Sequence, residues 1–182
     1  MNIITADVFE LGKFGIDVFT GTKFHDKRGS LNVFFEISQE SKESNFFLTK
    51  KVSISKKGVF RGLHIQKSPF KQKKICKVIK GEILQVFLNL DVDSKNFGQT
   101  VVAAISSNHN VTISVPCLFA HGFFASTAAT FEYICIGAYS ENHEISIAPE
   151  FLELKMTISN KDLRGLKRED VIADIKSGLL LI

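Results

Sequence analysis

In the stretch RGLHIQKSPFKQKK, residues 61–74, one imidazole stands two residues after a glycine and four lysines follow it. Side chains alternate along a strand, so Gly62 and His64 would share one face and Arg61 and Leu63 the other. A glycine beside a histidine leaves open space. In the next apolar run Lys74, Cys76, Val78 and Lys80 fall on one face, opposite Lys73, Ile75, Lys77 and Ile79. A lysine turned inward among small apolar neighbours can stabilise a developing anion. Farther on, Tyr133, Cys135, Gly137 and Tyr139 share a face if the strand is unbroken, which aims two phenols past a thiol and a glycine into one space. Each feature alone has a plainer reading, as a core histidine, a surface lysine and two sheet tyrosines. Only their joint placement argues for chemistry.

The elements that must position these groups are strands. GEILQVFLNLD, QTVVAAISS, NVTISVP and ATFEYICIGAYS are short apolar or alternating runs bounded by Gly, Asn, Asp, Ser or Pro, the pattern of strands between turns. From Val52 to Ser140 the chain reads as consecutive antiparallel strands, meaning a sandwich or barrel. Only the tail departs. In DLRGLKREDVIADIKSGLLLI the spacing of Leu166, Ile172, Ile175 and Leu179 fits an amphipathic helix packed on the body or on another subunit.

With 182 residues, 45% of them hydrophobic, the chain can bury one full core. No linker or repeat stands out, and a single domain over residues 1–182 is expected. Cys76, Cys117 and Cys135 are odd in number and widely spaced, which supports neither a disulfide framework nor a zinc site. Buried thiols in a reducing cytoplasm are the expectation. The net charge of +4 is modest and its lysines are dispersed, weaker than the footprint of a nucleic-acid binder but suited to a small anionic ligand. The N-terminal residues include Asp7 and Glu10 with no long apolar core, and no window reaches the roughly 20 apolar residues of a membrane span. A soluble cytoplasmic protein without a nucleic-acid or membrane partner is therefore expected.

FHDKRGS, SKKGVFRGLHIQ, KKICKVIKGEILQVFLNLDVDSKNFGQ, VPCLFAHGFF, EYICIGAYS and ISNKDL follow one another in an order and spacing that resembles the dTDP-4-dehydrorhamnose 3,5-epimerase family. The similarity runs from about Val18 to Leu163. It implies an all-β, cupin-type double-stranded β-helix, or jelly roll, with a short C-terminal helical segment. It also implies a homodimer that exchanges strands, a site inside the barrel, and neither metal nor other cofactor. Carried over by position, the resemblance makes His64 the catalytic base, Asp162 its carboxylate partner, Lys74 the enolate-stabilising cation and Tyr139 the general acid. His121 and Tyr133 correspond to pocket residues, and Arg28 and Arg61 to arginines near the nucleotide phosphates.

The chemistry of a nucleotide-linked 4-keto sugar asks for these types together. Carbanions at C3 and C5 delocalise onto the ketone oxygen, so a base of near-neutral pKa suffices. Histidine, at about 6.5, is such a base, and a hydrogen-bonded aspartate fixes its tautomer and stabilises the imidazolium. Asp162 follows His64 by 98 residues, so only the fold can join them. An ammonium near the ketone oxygen contributes where the enolate charge appears, commonly about 3 kcal/mol. A tyrosine, at about 10, keeps its proton until the basic enolate takes it.

The pattern also has departures. Lys51 and Val52 stand where the family commonly has Asn-His, Val33 where an acid is usual, and ISIAPEFLEL replaces a Trp-Asp segment. The residue before Pro116 is not the usual Trp. These positions surround sugar or base, so the nucleotide (dTDP, CDP or GDP), the sugar, and inversion at C3, C5 or both stay open. Three other readings compete. A metal-dependent cupin oxygenase needs several ligands converging on one centre, and RGLHIQ offers only His64. A cupin-type sugar 3,4-ketoisomerase shares the enolate logic but resembles RGLH and AHGF less. A non-catalytic sugar-binding cupin has no reason to keep base, lysine and acid together.

Overall fold

The computed structural model describes residues 3–27, 29–33 and 47–182. Its strands are β1 (Ile3–Ala6), β2 (Asp17–Thr20), β3 (Thr22–Asp26), β4 (Gly29–Val33), β5 (Leu48–Ser55), β6 (Phe60–Gln66), β7 (Lys73–Lys80) and β8 (Glu82–Asn89). They continue with β9 (Thr100–Ser106), β10 (Val111–Val115), β11 (Phe119–Ala125), β12 (Ala129–Ile136) and β13 (Glu144–Ser146). Two short helices close the chain, α1 (Asn160–Leu163) and α2 (Arg168–Lys176).

A six-stranded sheet, β1-β9-β8-β11-β6-β13, faces a five-stranded sheet, β2-β10-β7-β12-β5, while β3 and β4 pair separately. This is the double-sheet jelly roll of cupins. Neighbours in the two main sheets are antiparallel except β1, which runs parallel to β9. From β5 to β13 successive strands alternate between the sheets except for the β8–β9 hairpin: β6, β8, β9, β11 and β13 lie in one, β5, β7, β10 and β12 in the other. That winding encloses an interior which side chains from both sheets can reach.

Strand β8 explains why its sequence is a nearly continuous apolar run. Ile83 and Phe87 point into the cluster between the sheets, together with Val78, Ile113 and Phe131. Val86 and Leu88 point the other way, into a second cluster with Ile145, Ile147, Val171 and Ile175. A strand covered on both faces has no polar side to alternate with. The cover on the outer face is the C-terminal segment.

Helix α2 carries that cover with only part of the stripe that the periodicity marked, Ile172 and Ile175, joined by Val171. Val171 and Ile175 are buried and Ile172 packs partly against the cluster, whereas Leu166 is 49% exposed and Leu179 81%. Both leucines lie outside the helix, which spans Arg168–Lys176 only. The expected stripe assumed a helix longer than the one formed. Arg168 fixes the helix start: its Nε donates to Thr100 Oγ1 at 3.0 Å and its Nη2 to the Gly98 carbonyl at 2.7 Å.

The three cysteines are free thiols, with Cys76 and Cys135 buried and Cys117 partly so. Among the described residues no helix is long and apolar enough to cross a membrane.

Candidate active site

A cavity of about 430 Å³ opens between the sheets, lined by Arg61, His64, Lys74, His121, Tyr133 and Asp162 among others. Strand β6 builds one wall, and it does so through an irregularity. Against β11, His64 pairs with His121 but Arg61 pairs with Phe123, so three steps along β6 match two along β11. The extra residue is a bulge, and it turns Arg61 onto the face that His64 occupies. Simple alternation, which put the two on opposite faces, is corrected by that one residue.

Gly62 sits in the bulge at φ +111°, and a Cβ there would lie 2.7 Å from Gly122 Cα and 2.8 Å from the His121 carbonyl oxygen. The space beside His64 is therefore not open, as expected from sequence, but filled by the backbone of β11. Only glycine permits this approach. The close approach also lets the Gly62 amide donate to Asp162 Oδ2 at 3.4 Å.

Asp162 comes from α1. The helix starts at Ser159, whose hydroxyl accepts the Asp162 amide at 3.1 Å, so the N-cap orients the carboxylate. Asp162 Oδ1 lies 2.6 Å from His64 Nε2. Burial alone would raise the Asp162 carboxyl, but the His64 hydrogen bond and charge, with those from Gly62 and Ser159, hold it below its ordinary value. The carboxylate thus stays ionised and occupies Nε2, leaving Nδ1 as the ring nitrogen that can take up a proton.

On the facing sheet, Lys74 lines the cavity while Lys73 is exposed. The register expected from alternation in β7 is the one observed. Lys74 Nζ donates to the His64 carbonyl at 3.1 Å, which ties the cation to the strand bearing the imidazole. Burial pulls the Lys74 pKa below its ordinary value, against the opposing pull of Cys76, Cys135 and Glu144. Burial likewise raises the Cys76 thiol to about 12, so it stays neutral. His121 stacks on Phe87, with ring centroids 5.3 Å apart, and its Nε2 is buried without a hydrogen-bond partner among the described residues. Burial, then Lys74 and His64, press its pKa well below 6.5, so His121 is a neutral wall residue.

The two tyrosines are separated. Strand β12 ends at Ile136, and Gly137 takes φ +121°, where a Cβ would lie 2.4 Å from the Lys71 carbonyl oxygen. The unbroken strand assumed from sequence therefore stops short of Tyr139. Tyr133 lines the main cavity with His64 and Lys74. Tyr139 is 49% exposed and borders a smaller recess of about 50 Å³, which Lys51, His64, Lys74, Tyr133 and Glu144 also line. Burial raises both phenols above their ordinary value.

Arg61 stands at the cavity with its Nε donating to Ser55 Oγ at 3.0 Å. Arg28 lies outside the described residues. Three contributors escaped the sequence reading. Ser159 was legible as Ser-x-x-Asp, a helix-start signature; Glu144, which Lys161 engages, carried no local signal, and the phenol-facing Lys51 stood out only as a departure from the family pattern. Among the described residues no group of three or more His, Cys, Asp or Glu side chains is arranged to hold a metal ion.

Comparison with known proteins matches residues 14–170 to the model of the family described as dTDP-4-dehydrorhamnose 3,5-epimerase. The enzyme of that name from Shigella flexneri is 31% identical, covering 93% of this chain and 97% of the relative. The crystal structure of the dTDP-4-dehydrorhamnose 3,5-epimerase of Sulfolobus tokodaii superposes with a TM-score of 0.75 at 34% identity, over 85% of this chain and 91% of the other. A Legionella pneumophila dTDP-6-deoxy-D-glucose-3,5-epimerase, solved with dTDP-4-keto-L-rhamnose, gives a TM-score of 0.74 at 27% identity over 96% of both chains.

Proposed function

Because the chain belongs to the dTDP-4-dehydrorhamnose 3,5-epimerase family, and is thereby an isomerase of deoxysugar nucleotides, we propose that it inverts C3, C5 or both of a dTDP-linked 4-keto-6-deoxy sugar. The observation that carries the reading is the His64–Asp162 pair, 2.6 Å apart, opening on the cavity that Lys74 lines from the opposite sheet. His64 Nδ1 takes the proton from the carbon beside the ketone. Asp162 holds the imidazolium through Nε2. The electron pair moves onto the ketone oxygen, where the Lys74 ammonium donates a hydrogen bond to the enolate.

Tyr133 then delivers its phenolic proton to the opposite face of the ring. This reading replaces Tyr139 as the acid, since Tyr133 shares the main cavity with base and lysine while Tyr139 stands half in solvent. His121 gives a neutral polar edge to the sugar, and Arg61 a cation for the diphosphate at the mouth. One protein domain suffices for the whole cycle, and no cofactor enters it.

The wider setting follows from the same chemistry. The product suits the synthesis of a rhamnose-like sugar for O-antigen or capsule, in the cytoplasm, where the buried free thiols Cys76 and Cys135 stay reduced. Two copies of the chain associate through the outer face of the five-stranded sheet, where Val52, Ile54 and Ile79 are exposed at 58%, 79% and 46%. An apolar patch of this kind marks an interface. The test of the function is product stereochemistry: purified protein incubated with dTDP-4-keto-6-deoxyglucose, then reduced, should yield sugars inverted at C3 or C5. Recovery of only the original configuration, or of a 3-keto isomer, would overturn the reading.

A further inference from the structure

Strand β5 places a second ammonium beside the phenols. Lys51 is the direct cross-strand partner of Tyr133, so both side chains leave the sheet on the same face. Its Nζ lies 5.1 Å from the centroid of the Tyr139 ring and 6.0 Å from that of Tyr133. It also borders the small recess that contains His64 and Lys74. Two other cations stand nearby, Lys74 hydrogen-bonded to the His64 carbonyl and Arg61 to Ser55 and the Ile54 carbonyl, and the Arg61 charge already favours the Tyr133 phenolate.

From this geometry we infer that Lys51 is a positioning residue for proton return, stabilising the phenolate left on Tyr133 after it has protonated the enolate. The chemistry requires such a group. Proton donation moves a full negative charge onto a phenol whose burial raises its pKa, and the neighbouring Cys135 and Cys76 push it further the same way against the opposing pull of Arg61. Around Tyr133 stand Cys76 and Lys74 from β7, Arg61 and His64 from β6, His121 from β11 and Glu144 from β13. Glu144 opposes a phenolate, but its charge is engaged by Lys161. An opposite charge within about 4–6 Å of an ionising group shifts its pKa by about one unit or more, and the Lys51 ammonium lies 6.0 Å from the Tyr133 ring centroid. Lys51 therefore makes the acid stronger from its place on the neighbouring strand β5. The catalytic part of this inference rests on Tyr133 being the proton donor.

The composition makes the test clean. The chain has two tyrosines and no tryptophan, so in the Tyr139→Phe protein the ultraviolet phenolate band titrates Tyr133 alone, with no substrate present. In that background Lys51→Met should raise the Tyr133 midpoint by about one pH unit, and Lys51→Arg should keep it low. A midpoint unmoved by Lys51→Met, or a rise that Lys51→Arg shows equally, overturns the inference whatever the protein's substrate. With otherwise wild-type protein and the 4-keto sugar in deuterated water, Lys51→Met should lower inversion about tenfold while solvent deuterium still enters the substrate. A parallel fall of exchange and inversion would contradict the role in proton return. Absence of all exchange in the parent protein would instead sink the epimerase reading and leave the titration result standing.

Discussion

Asp162 Oδ1 lies 2.6 Å from His64 Nε2, across 98 residues of chain. The contact depends on two local devices, the Ser159 N-cap that aims the carboxylate and the Gly62 bulge that brings the β6 backbone within reach of it. If the pair acts as one unit, His64→Asn should cut turnover by about a hundredfold or more while nucleotide binding stays close to wild type. Asp162→Asn should lose nearly as much, and the double variant little more than the worse single one. Steady-state kinetics on the three proteins decides, and multiplicative losses would mean that the two residues work independently.

Lys74→Met removes the cation that faces the cavity and should lower turnover by about a hundredfold. Lys73, its exposed neighbour, points to the other face, so Lys73→Met should remain near wild type. Equal losses in the two kinetic assays would contradict the register of β7, since a one-residue slip exchanges the faces.

Tyr133→Phe keeps the ring and deletes the proposed acid. The enolate should still form and be reprotonated by His64 on its original face, so deuterium enters recovered substrate while inverted product falls at least tenfold. Tyr139→Phe should invert at a rate close to wild type. Mass and NMR analysis of recovered sugar separates the outcomes; the reverse pattern would return the acid role to Tyr139.

His121 gives a pH prediction. Its folded-state pKa lies well below 6.5 because burial and the Lys74 charge disfavour the imidazolium, whereas in the unfolded chain it titrates near 6.5. Below that pH the unfolded state binds the proton and the folded state does not, so stability is lost as pH falls. The loss from this group should develop as the pH falls through the unfolded value, between about pH 7.5 and 5.5. Urea unfolding of His121→Phe, whose ring can keep the stack on Phe87, should show a shallower dependence over that window; an identical slope would contradict a buried neutral imidazole.

The strands from β5 to β12 were legible because their apolar runs and turn residues are local signals; alternation put Lys73 and Lys74 on opposite faces, and the resemblance chose Lys74 as the inward one. What failed was each place where one residue breaks the period. The bulge at Gly62 adds a residue that composition cannot reveal, and it moved Arg61 to the face of His64. Gly137, forced to positive φ against the Lys71 carbonyl, ended β12 before Tyr139. The tail was misjudged for another reason: its leucines are spaced for a helix, but α2 is short and Gly178 follows it at φ +76°. Strand β1, four residues pairing in parallel with β9, is set by tertiary contact and left no pattern to read. The His64–Asp162 pairing came from resemblance, since no local feature joins residues so far apart.

The central claim is that this site removes and returns a proton beside a sugar ketone. Proton NMR of dTDP-4-keto-6-deoxyglucose with the protein in deuterated water tests it directly. The account predicts loss of the C3 signal, the C5 signal or both, at a rate that falls about a hundredfold in His64→Asn, with the lost signals naming the carbons attacked. Persistence of both signals with dTDP, CDP and GDP forms of the sugar would contradict it.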